Sequence, residues 1–242
     1  MSDPADRPER EALSAVPRAV LDRLPLLGRA MLTANRGGAT HERIGPITAV
    51  TFDGDVAALA GDCHDAVIDL TVVVRAVADR SGKMKDRALP RVEFQGADGE
   101  TVFSVIALEG LELFEAALAT LKDGEALPPK EKPADGGPAE LGENDPGLEP
   151  FAAARAAEGE VVVSFATPGL TQRWRGRVPE IKPISGFINV MTSDFHLHLR
   201  GGAVARWRRE EGADGLVLTA EDAAGAPTGL TVSGPASSFA PS

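Results

Sequence analysis

Asp194-Phe195-His196-Leu197-His198-Leu199 is the stretch that decides the fold of this 242-residue chain. Apolar and polar side chains alternate along it, which is the period of a β-strand with one buried face. His196 and His198 are separated by one residue and would therefore share a face of that strand. Ile68-Asp69-Leu70 has the same aliphatic–polar–aliphatic order as Leu197-His198-Leu199, so one kind of strand occurs twice.

Two further segments recur in the same order along the chain. Residues 39–47 carry Thr, Gly and a final aliphatic residue at the same spacing as residues 170–178. Residues 91–99, a β-type run followed by a turn, correspond to residues 216–225. A collinear series of this kind is typical of an internal duplication. We therefore predict two β-rich modules whose half-sheets pack back to back, each covering the apolar face of the other.

The remaining sequence divides the chain into modules, linker and tails. The modules are predicted at 13–122 and 159–235, and an acidic segment rich in proline and glycine predicts a linker at 123–158. Residues 1–12 are predicted to be a disordered tail and 236–242 a second tail.

Within the modules, periodicity predicts the individual elements. Apolar residues at helical spacing predict helices over 13–32 and 108–122. Short β-type runs divided by turn residues predict strands, at 47–52, 56–59, 68–74, 91–94, 101–107, 161–165, 172–175, 187–191, 195–199, 204–208, 216–219 and 230–232.

Composition excludes several classes of protein. The net charge of −11 and a pI near 4.9 argue against nucleic-acid and anionic-membrane partners. The single cysteine, Cys63, rules out an intramolecular disulfide and a Cys-rich zinc site. No apolar run approaches the roughly 20 residues that span a bilayer, and the N-terminus lacks the pattern of a signal peptide. A cytoplasmic protein is therefore expected.

The second module resembles the C-terminal repeat of the bacterial hemin-degrading (haem-utilisation, HemS/ChuX-like) factors. That family has a Gly-x-x-Gln-x-x-x-Gly-x-Val stretch, a Gly-aromatic-Leu-Asn-Val turn and an Asp-Phe-x-Leu-His-Leu strand, which are similar to residues 169–178, 186–190 and 194–199. Segments of the first module are similar to its N-terminal repeat, at 27–31, 33–36, 39–45 and 68–70.

The resemblance implies a fold and a function. The fold would be α+β, an internally duplicated module of two packed, curved antiparallel sheets with flanking helices. The function would be cytosolic haem binding, with transfer of haem to a haem oxygenase or a reductase, or direct oxidative opening of the porphyrin.

The chain departs from the family where the family binds iron. The family's Asp-x-His-x-Phe-Phe motif, whose His ligates the iron, is replaced by Phe-Ala-Ala-Ala-Arg at 151–155. Its haem-facing Arg in Ile-Asp-Leu-Arg is Thr71, and its Lys before the Gly-aromatic turn is Ser185. Arg209 matches a pocket Arg of the family and is retained.

The histidines are the candidate axial donors, since haem needs a ligand for iron, an apolar slot and basic groups for its propionates. His41, in a His-Glu-x-x-Gly segment before a strand, is the first choice of substitute iron ligand, with a structural contact as the alternative. His196 and His198 on one strand face could bind a metal or be ordinary sheet histidines. His64, beside Cys63, is expected to be solvated in a polar loop.

Arginine and tryptophan cluster twice in this acidic chain. Arg173, Arg175 and Arg177 would share one strand face, and Arg206 to Arg209 surround Trp207. Such groups could stack on a planar anionic ligand, so Arg175 and Arg209 join the candidate haem-binding residues. Salt bridges to the many carboxylates are the alternative.

Three functions follow. The leading hypothesis is a haem-binding or haem-trafficking protein in haem uptake and iron utilisation, with the family's usual ligands missing. The alternatives are a haem-degrading enzyme that releases iron, and a non-haem interaction module on the same fold. A homodimer is one option for the oligomeric state.

Overall fold

The computed structural model describes residues 7–121, 124–130, 141–212 and 215–239. It consists mostly of antiparallel β-strands with short helices, the α+β class predicted from the sequence. The chain divides into two compact units that alternate along the sequence. Unit 1 contains Met1–Ala34, Ile44–Lys132 and Pro168–Leu170, and unit 2 contains Asn35–Arg43, Pro133–Thr167 and Thr171–Ser242.

The first half of the chain supplies the strands and helices of unit 1. Helix α1 is Pro17–Leu21, a 3₁₀ turn follows at Leu24–Leu27, and helix α2 is Leu111–Leu118. The strands are β1 (Arg10–Ala12), β2 (Arg29–Arg36), β3 (Ala39–Pro46), β4 (Ala49–Asp53), β5 (Val56–Gly61), β6 (His64–Asp69), β7 (Arg75–Asp79), β8 (Lys83–Met84), β9 (Arg87–Ala88), β10 (Arg91–Gln95), β11 (Thr101–Ala107) and β12 (Glu125–Ala126). The boundary between the units falls within β2 and β3.

Unit 1 pairs its strands in the order β12-β1-β7-β10-β11-β2, next to a meander β4-β5-β6 and the short ribbon β8-β9. Phe94 of β10 lies opposite Phe103 of β11, and their rings stack 4.6 Å apart. Helix α2 packs its buried Phe114 and Leu118 towards the 3₁₀ turn, whose Leu24 and Leu27 are also buried. This apolar cluster is the core of unit 1.

The second half of the chain supplies most of unit 2. A 3₁₀ turn at Pro146–Leu148 precedes helix α3 (Glu149–Ala156), and another 3₁₀ turn, at Ala236–Phe239, follows the last strand. Its strands are β13 (Glu160–Thr167), β14 (Leu170–Arg177), β15 (Ile181–Ile184), β16 (Phe187–Met191), β17 (Phe195–Arg200), β18 (Arg206–Gly212), β19 (Gly215–Glu221) and β20 (Pro227–Gly234). They pair as β3-β17-β16-β15 and as β18-β19-β20-β13-β14.

The core of unit 2 is built on the alternation of β17. Phe195, Leu197 and Leu199 are fully buried, whereas His196 and His198 between them are half-buried. Trp174 of β14 stacks on Phe195 with ring centroids 4.5 Å apart. The strand predicted from Asp194–Leu199 therefore forms with the predicted face buried.

The two units repeat one order of strands. Each has a three-strand meander, β4-β5-β6 or β15-β16-β17, followed by β7-β10-β11 or β18-β19-β20. The last strand of each of these sets then pairs with the first strand of a hairpin. In unit 1, β11 pairs with β2, and in unit 2, β20 pairs with β13. The internal duplication stays a prediction, which this repeated order supports.

Several predicted boundaries differ from the structure. The helix predicted over 13–32 forms only at Pro17–Leu21, followed by the 3₁₀ turn at Leu24–Leu27. Beyond residue 28 the prediction is wrong, because Gly28 adopts a φ of +66° and β2 starts at Arg29. Residues 10–12 of the predicted disordered tail form β1, and α3 lies inside the predicted linker. Residues 1–6 of the predicted N-terminal tail, residues 123 and 131–140 of that linker, and residues 240–242 of the predicted C-terminal tail lie outside the described residues.

The module limits also differ from the units. Asn35–Arg43 fall in the first predicted module but belong to unit 2, and Pro168–Leu170 show the reverse. Among the described helices, none has the length and apolar character needed to cross a membrane.

Candidate functional site

Glu42, His196 and His198 form a cluster on unit 2. One ligand atom from each, a carboxylate oxygen and two imidazole nitrogens, lies within 4.8 Å of the other two. The Nδ1 atom of His196 is 3.2 Å from Oε2 of Glu42, and Nε2 of His198 is 3.8 Å from the same oxygen. All three side chains are partly open to solvent, with exposed fractions of 15% for Glu42, 26% for His196 and 32% for His198.

The cluster follows from the register of β3 and β17. Glu42 lies directly opposite His196, and Thr40 lies opposite His198. Neighbours along each strand point to the opposite face, so Leu197 and His41 pair on the buried side. The alternation that builds the core thus places Glu42, His196 and His198 together on the other face.

Asn189 of β16 fixes the orientation of His198. Its Nδ2 group donates to the carbonyl oxygens of Lys182, at 2.8 Å, and Phe187, at 3.1 Å. Its Oδ1 atom is therefore the acceptor that faces Nδ1 of His198, 2.6 Å away. With the proton of a neutral imidazole held on Nδ1, the lone pair of His198 is on Nε2.

Glu42 carries the negative charge of the cluster. Burial alone would raise its pKa, but the His196 and His198 rings beside it outweigh burial and lower the pKa from 4.5 to about 2. Glu42 is therefore a carboxylate at neutral pH and can accept the Nδ1 proton of His196.

Apolar and cationic side chains share this face of the sheet. Met191 of β16 lies opposite His196 and is 42% exposed. Lys182 of β15 lies opposite Asn189, and Phe187 lies opposite Arg200. We call Glu42, Asn189, Met191, His196 and His198 the histidine face.

His41 lies in the core of unit 2, on the other side of β3. It is fully buried, and its ring stacks on Phe165 with centroids 5.8 Å apart and lies at an angle to Phe195 with centroids 4.9 Å apart. Its Nε2 atom is 3.4 Å from the carbonyl oxygen of Val163. Burial lowers its pKa from 6.5 to about 3, so the imidazole is neutral at physiological pH.

His64 is also buried, because it begins β6 rather than lying in a solvated loop. Its Nε2 atom is 2.9 Å from the carbonyl oxygen of Gly45. The expectation of a solvated His64 was wrong, since β6 starts four residues earlier than the predicted strand at 68.

Arg209 lies on β18, where it pairs with Glu149 at the start of α3 at 3.4 Å. Both side chains are about half exposed. Its neighbour Trp207 is buried, donates from Nε1 to the carbonyl oxygen of Pro146 at 2.8 Å, and meets Phe151 edge to face. The tryptophan thus holds α3 in place and is not free to stack on a ligand.

Arg175 extends from β14 into solvent, where it lies 3.4 Å from Glu160. It lines an open cleft of about 440 Å³ together with Leu216, Val217 and Pro235. A second cleft of about 620 Å³ lies between α3 and residues 177–181, and arginines (Arg155, Arg177), glutamates (Glu158, Glu180) and apolar groups line it. No histidine is among the residues that line either cleft.

The structure therefore brings together two of the five predicted site residues, His196 and His198. His41 lies beneath them in the core, and Arg175 and Arg209 are held by other carboxylates. Sequence reasoning missed Glu42 and Asn189. The alternation of residues 39–43 could have indicated the orientation of Glu42, but its pairing with β17 is a long-range contact that no local pattern encodes.

Sequence comparisons identify no relative. No protein-family model matches the chain, and no curated protein matches it.

Solved structures do match the fold. ChuS of E. coli, described as a heme oxygenase, superposes with a TM-score of 0.75 and 16% identity, over 93% of this chain and 83% of ChuS. The apo form of PhuS, a heme-binding protein from Pseudomonas aeruginosa, gives 0.73 and 19% identity, over 93% of this chain and 81% of PhuS. Holo-PhuS gives a TM-score of 0.74 with the same identity and coverage. At such low identity the match establishes the fold, and it confirms the fold that the sequence resemblance implied.

Proposed function

We propose that this chain, which has the fold of ChuS and PhuS, is a haem-binding protein of the hemin-degrading factor type. The observation that carries the proposal is the structural match over 93% of the chain to a heme oxygenase and a heme-binding protein. The sequence motifs at 169–178, 186–190 and 194–199 support it independently.

The usual ligand position does not fit haem in this chain. The segment that replaces the family's histidine motif lies in α3, and Phe151 and Ala154 of that helix are buried. Its remaining side chains are alanine, arginine, glutamate and proline, and none of these supplies an imidazole. If a histidine of this chain is the axial ligand of haem, it must lie outside α3.

We assign that ligand to the histidine face. All four histidines of the chain lie in its described part, and His41 and His64 are buried in the core. His196 and His198 are the two that solvent, and hence a planar ligand, can reach. This choice replaces His41, the first candidate from the sequence, because His41 is enclosed by Phe165 and Phe195.

The surrounding residues suit a planar anionic ligand. Glu42 can hold the Nδ1 proton of His196 and thereby leave Nε2 as the donor atom, an arrangement that strengthens imidazole ligands. Exposed Met191 and partly exposed Phe187 offer apolar surface, while Lys182 and Arg200 bring positive charge to the same face. When bound, haem supplies the iron centre and the two propionates. The roles predicted for Arg175 and Arg209 in binding propionates remain predictions.

The proposed biological role is haem trafficking in haem uptake and iron utilisation, in the cytoplasm. Haem would pass from this chain to a haem oxygenase or be held for a reductase.

A spectral titration with haemin tests the proposal on the full chain. We expect a saturable shift of the Soret band, and we expect the double variant H196A/H198A to lose most of it. H41L is the matched control, because it also removes an imidazole, but one that lies on the buried side of β3. It should keep the Soret shift. Absence of a saturable shift in the wild-type chain overturns haem binding and favours a non-haem interaction module. A shift lost in H41L but kept in H196A/H198A reassigns the ligand to His41.

Haem degradation is the second candidate, because ChuS is described as a heme-degrading enzyme. Ascorbate or a reductase system added to the haemin complex should then bleach the Soret band and release iron. A pigment that persists under these conditions limits the function to binding and transfer.

A further inference from the structure

The geometry points to a second use of the histidine face: we infer that Glu42, His196 and His198 bind a divalent first-row transition metal ion, such as Zn²⁺ or Fe²⁺, without porphyrin. The inference does not rest on haem binding, since it uses only these three side chains and Asn189, the hydrogen-bond partner of His198.

The donor set suits this class of ion. Two imidazoles and one carboxylate form the ligand set of many non-haem iron and catalytic zinc sites. A tetrahedral ion with bonds of about 2.0–2.2 Å holds its ligand atoms about 3.3–3.6 Å apart. The Oε2 atom of Glu42 is 3.2 Å from Nδ1 of His196 and 3.8 Å from Nε2 of His198, close to that spacing. The ion takes the place of the hydrogen bond between Glu42 and His196, so Nδ1 of His196 is its ligand atom and the ring proton is on Nε2. The two imidazole nitrogens lie within 4.8 Å of each other and must come closer to share one ion.

The hydrogen-bond partner of His198 is in place before any ion binds. Asn189 is 6% exposed, and its amide is oriented by the carbonyl oxygens of Lys182 and Phe187. It therefore holds the proton of His198 on Nδ1 and directs the Nε2 lone pair towards Glu42. Histidine ligands of metal sites almost always have such a partner on the nitrogen that does not bind the metal.

The charge and the exposure of the cluster also fit. The carboxylate of Glu42 supplies negative charge that offsets part of the charge of a divalent ion, and the imidazoles supply lone pairs. Three protein ligands leave at least one coordination position open, and the partial exposure of all three side chains lets water or an anion reach it.

Isothermal titration of the metal-free full chain with Zn²⁺, in the absence of haem, tests the inference. We expect one ion per chain, and at least about a tenfold loss of affinity in E42Q and in H198A, each of which removes one ligand. Cobalt(II), titrated in parallel, should give the visible absorption of a low-symmetry nitrogen and oxygen site in the wild-type chain, and E42Q should lose it.

E160Q is the matched control. It makes the same change as E42Q at an exposed carboxylate of β13, which lies 3.4 Å from Arg175 and outside the cluster. It should bind Zn²⁺ as the wild-type chain does. Circular dichroism of each variant checks the fold, and H196A replaces H198A if the latter unfolds.

Two results would overturn the inference: no saturable Zn²⁺ binding, or an affinity that E42Q, H196A and H198A leave unchanged. The haemin titration is a separate experiment, so a failure of either assignment is seen independently. Because both occupants use the same imidazoles, saturating Zn²⁺ should also reduce the Soret shift that haemin produces.

Discussion

Strands β6 and β17 occupy the same place in the strand order of the two units, but their exposed faces carry different side chains. His196 and His198 correspond to Val67 and Asp69, which are exposed on β6. Asp69 accepts hydrogen bonds from the backbone and the hydroxyl of Thr71, which lowers the pKa of its carboxyl and closes a turn. The position that corresponds to Glu42 is Arg173. One strand pattern therefore ends in a turn at Asp69 in unit 1 and carries the candidate site in unit 2.

The ionisable groups of the units differ in the same sense. In unit 1, the carboxylate of Glu93 is 1% exposed and lies 3.1 Å from Arg10 and 2.8 Å from Lys130. Asp79 is fully buried and lies 2.8 Å from Arg91. These charges are satisfied within the protein. The cluster of unit 2 instead turns its donor atoms towards solvent, which is where a ligand can reach them.

Breaking the closed network of unit 1 should have the largest effect. Glu93→Ala leaves Arg10 as a buried charge without its main partner, and we expect the free energy of unfolding to fall by about 3–5 kcal/mol. Urea denaturation of the full chain measures this loss. Glu160→Ala, which breaks the exposed pair with Arg175, should change stability by less than about 0.5 kcal/mol. Equal effects of the two substitutions would contradict the distinction between closed and open ion pairs.

The buried imidazole beneath the histidine face should make stability depend on pH. His41 has a pKa of about 3 in the folded chain and about 6.5 when unfolded, so the unfolded chain binds its proton first as the pH falls. The contribution of neutral His41 to the free energy of unfolding is therefore complete above about pH 6.5. It is lost between about pH 6.5 and pH 3, at about 1.4 kcal/mol per pH unit.

The size of this effect can be checked with one variant. Between pH 7 and pH 5 we expect His41 to account for about 2 kcal/mol of lost stability. Denaturation curves in a chelating buffer should show this loss in the wild-type chain and a smaller one in H41L. Identical pH profiles would mean that His41 is not held neutral in the core.

Removing Asn189, which orients the ring of His198 but is not itself a ligand, should weaken metal binding. Asn189→Ala frees the ring of His198, and we expect the affinity for Zn²⁺ to fall by about tenfold or more, or about 1.4 kcal/mol. Calorimetric titration beside E160Q measures the change. An unaltered affinity for Zn²⁺ would show that Asn189 has only a structural role in β16 and its neighbours.

Transplanting the two histidines should have the smallest effect. The double variant V67H/D69H gives β6 the imidazoles of β17, but Ala58 and Val56 lie opposite them on β5, whereas β3 places Glu42 opposite His196. We expect the Zn²⁺ stoichiometry to stay at one ion per chain. A second site of similar affinity would show that two imidazoles on a strand are sufficient.

The sequence predicted the parts of the molecule that depend on local pattern. The alternation of Phe195 to Leu199 predicted both the strand and its buried face, and the strands at 101–107 and 187–191 have the predicted bounds. The helix beyond Gly28 and the linker around α3 were wrong, because a positive φ and tertiary packing overrode helical spacing and composition.

The site was predicted only in part for the same reason. His196 and His198 are neighbours on one strand, so period 2 was enough to join them. Glu42 lies more than 150 positions earlier in the chain and reaches them through the register of β3 with β17. His41 was misplaced because a histidine next to a glutamate has no local feature that separates a core position from a ligand position.

The most direct test of the central claim is to observe all four imidazoles together as ligand is added. Long-range ¹H–¹⁵N correlation spectra of the chain, recorded with Zn²⁺ and then with haemin, report each ring separately. We predict that the signals of His196 and His198 shift or broaden with both ligands, while those of His41 and His64 stay in place. Changes confined to His41 or His64, or no change in any ring, would contradict the assignment of the histidine face as the functional site.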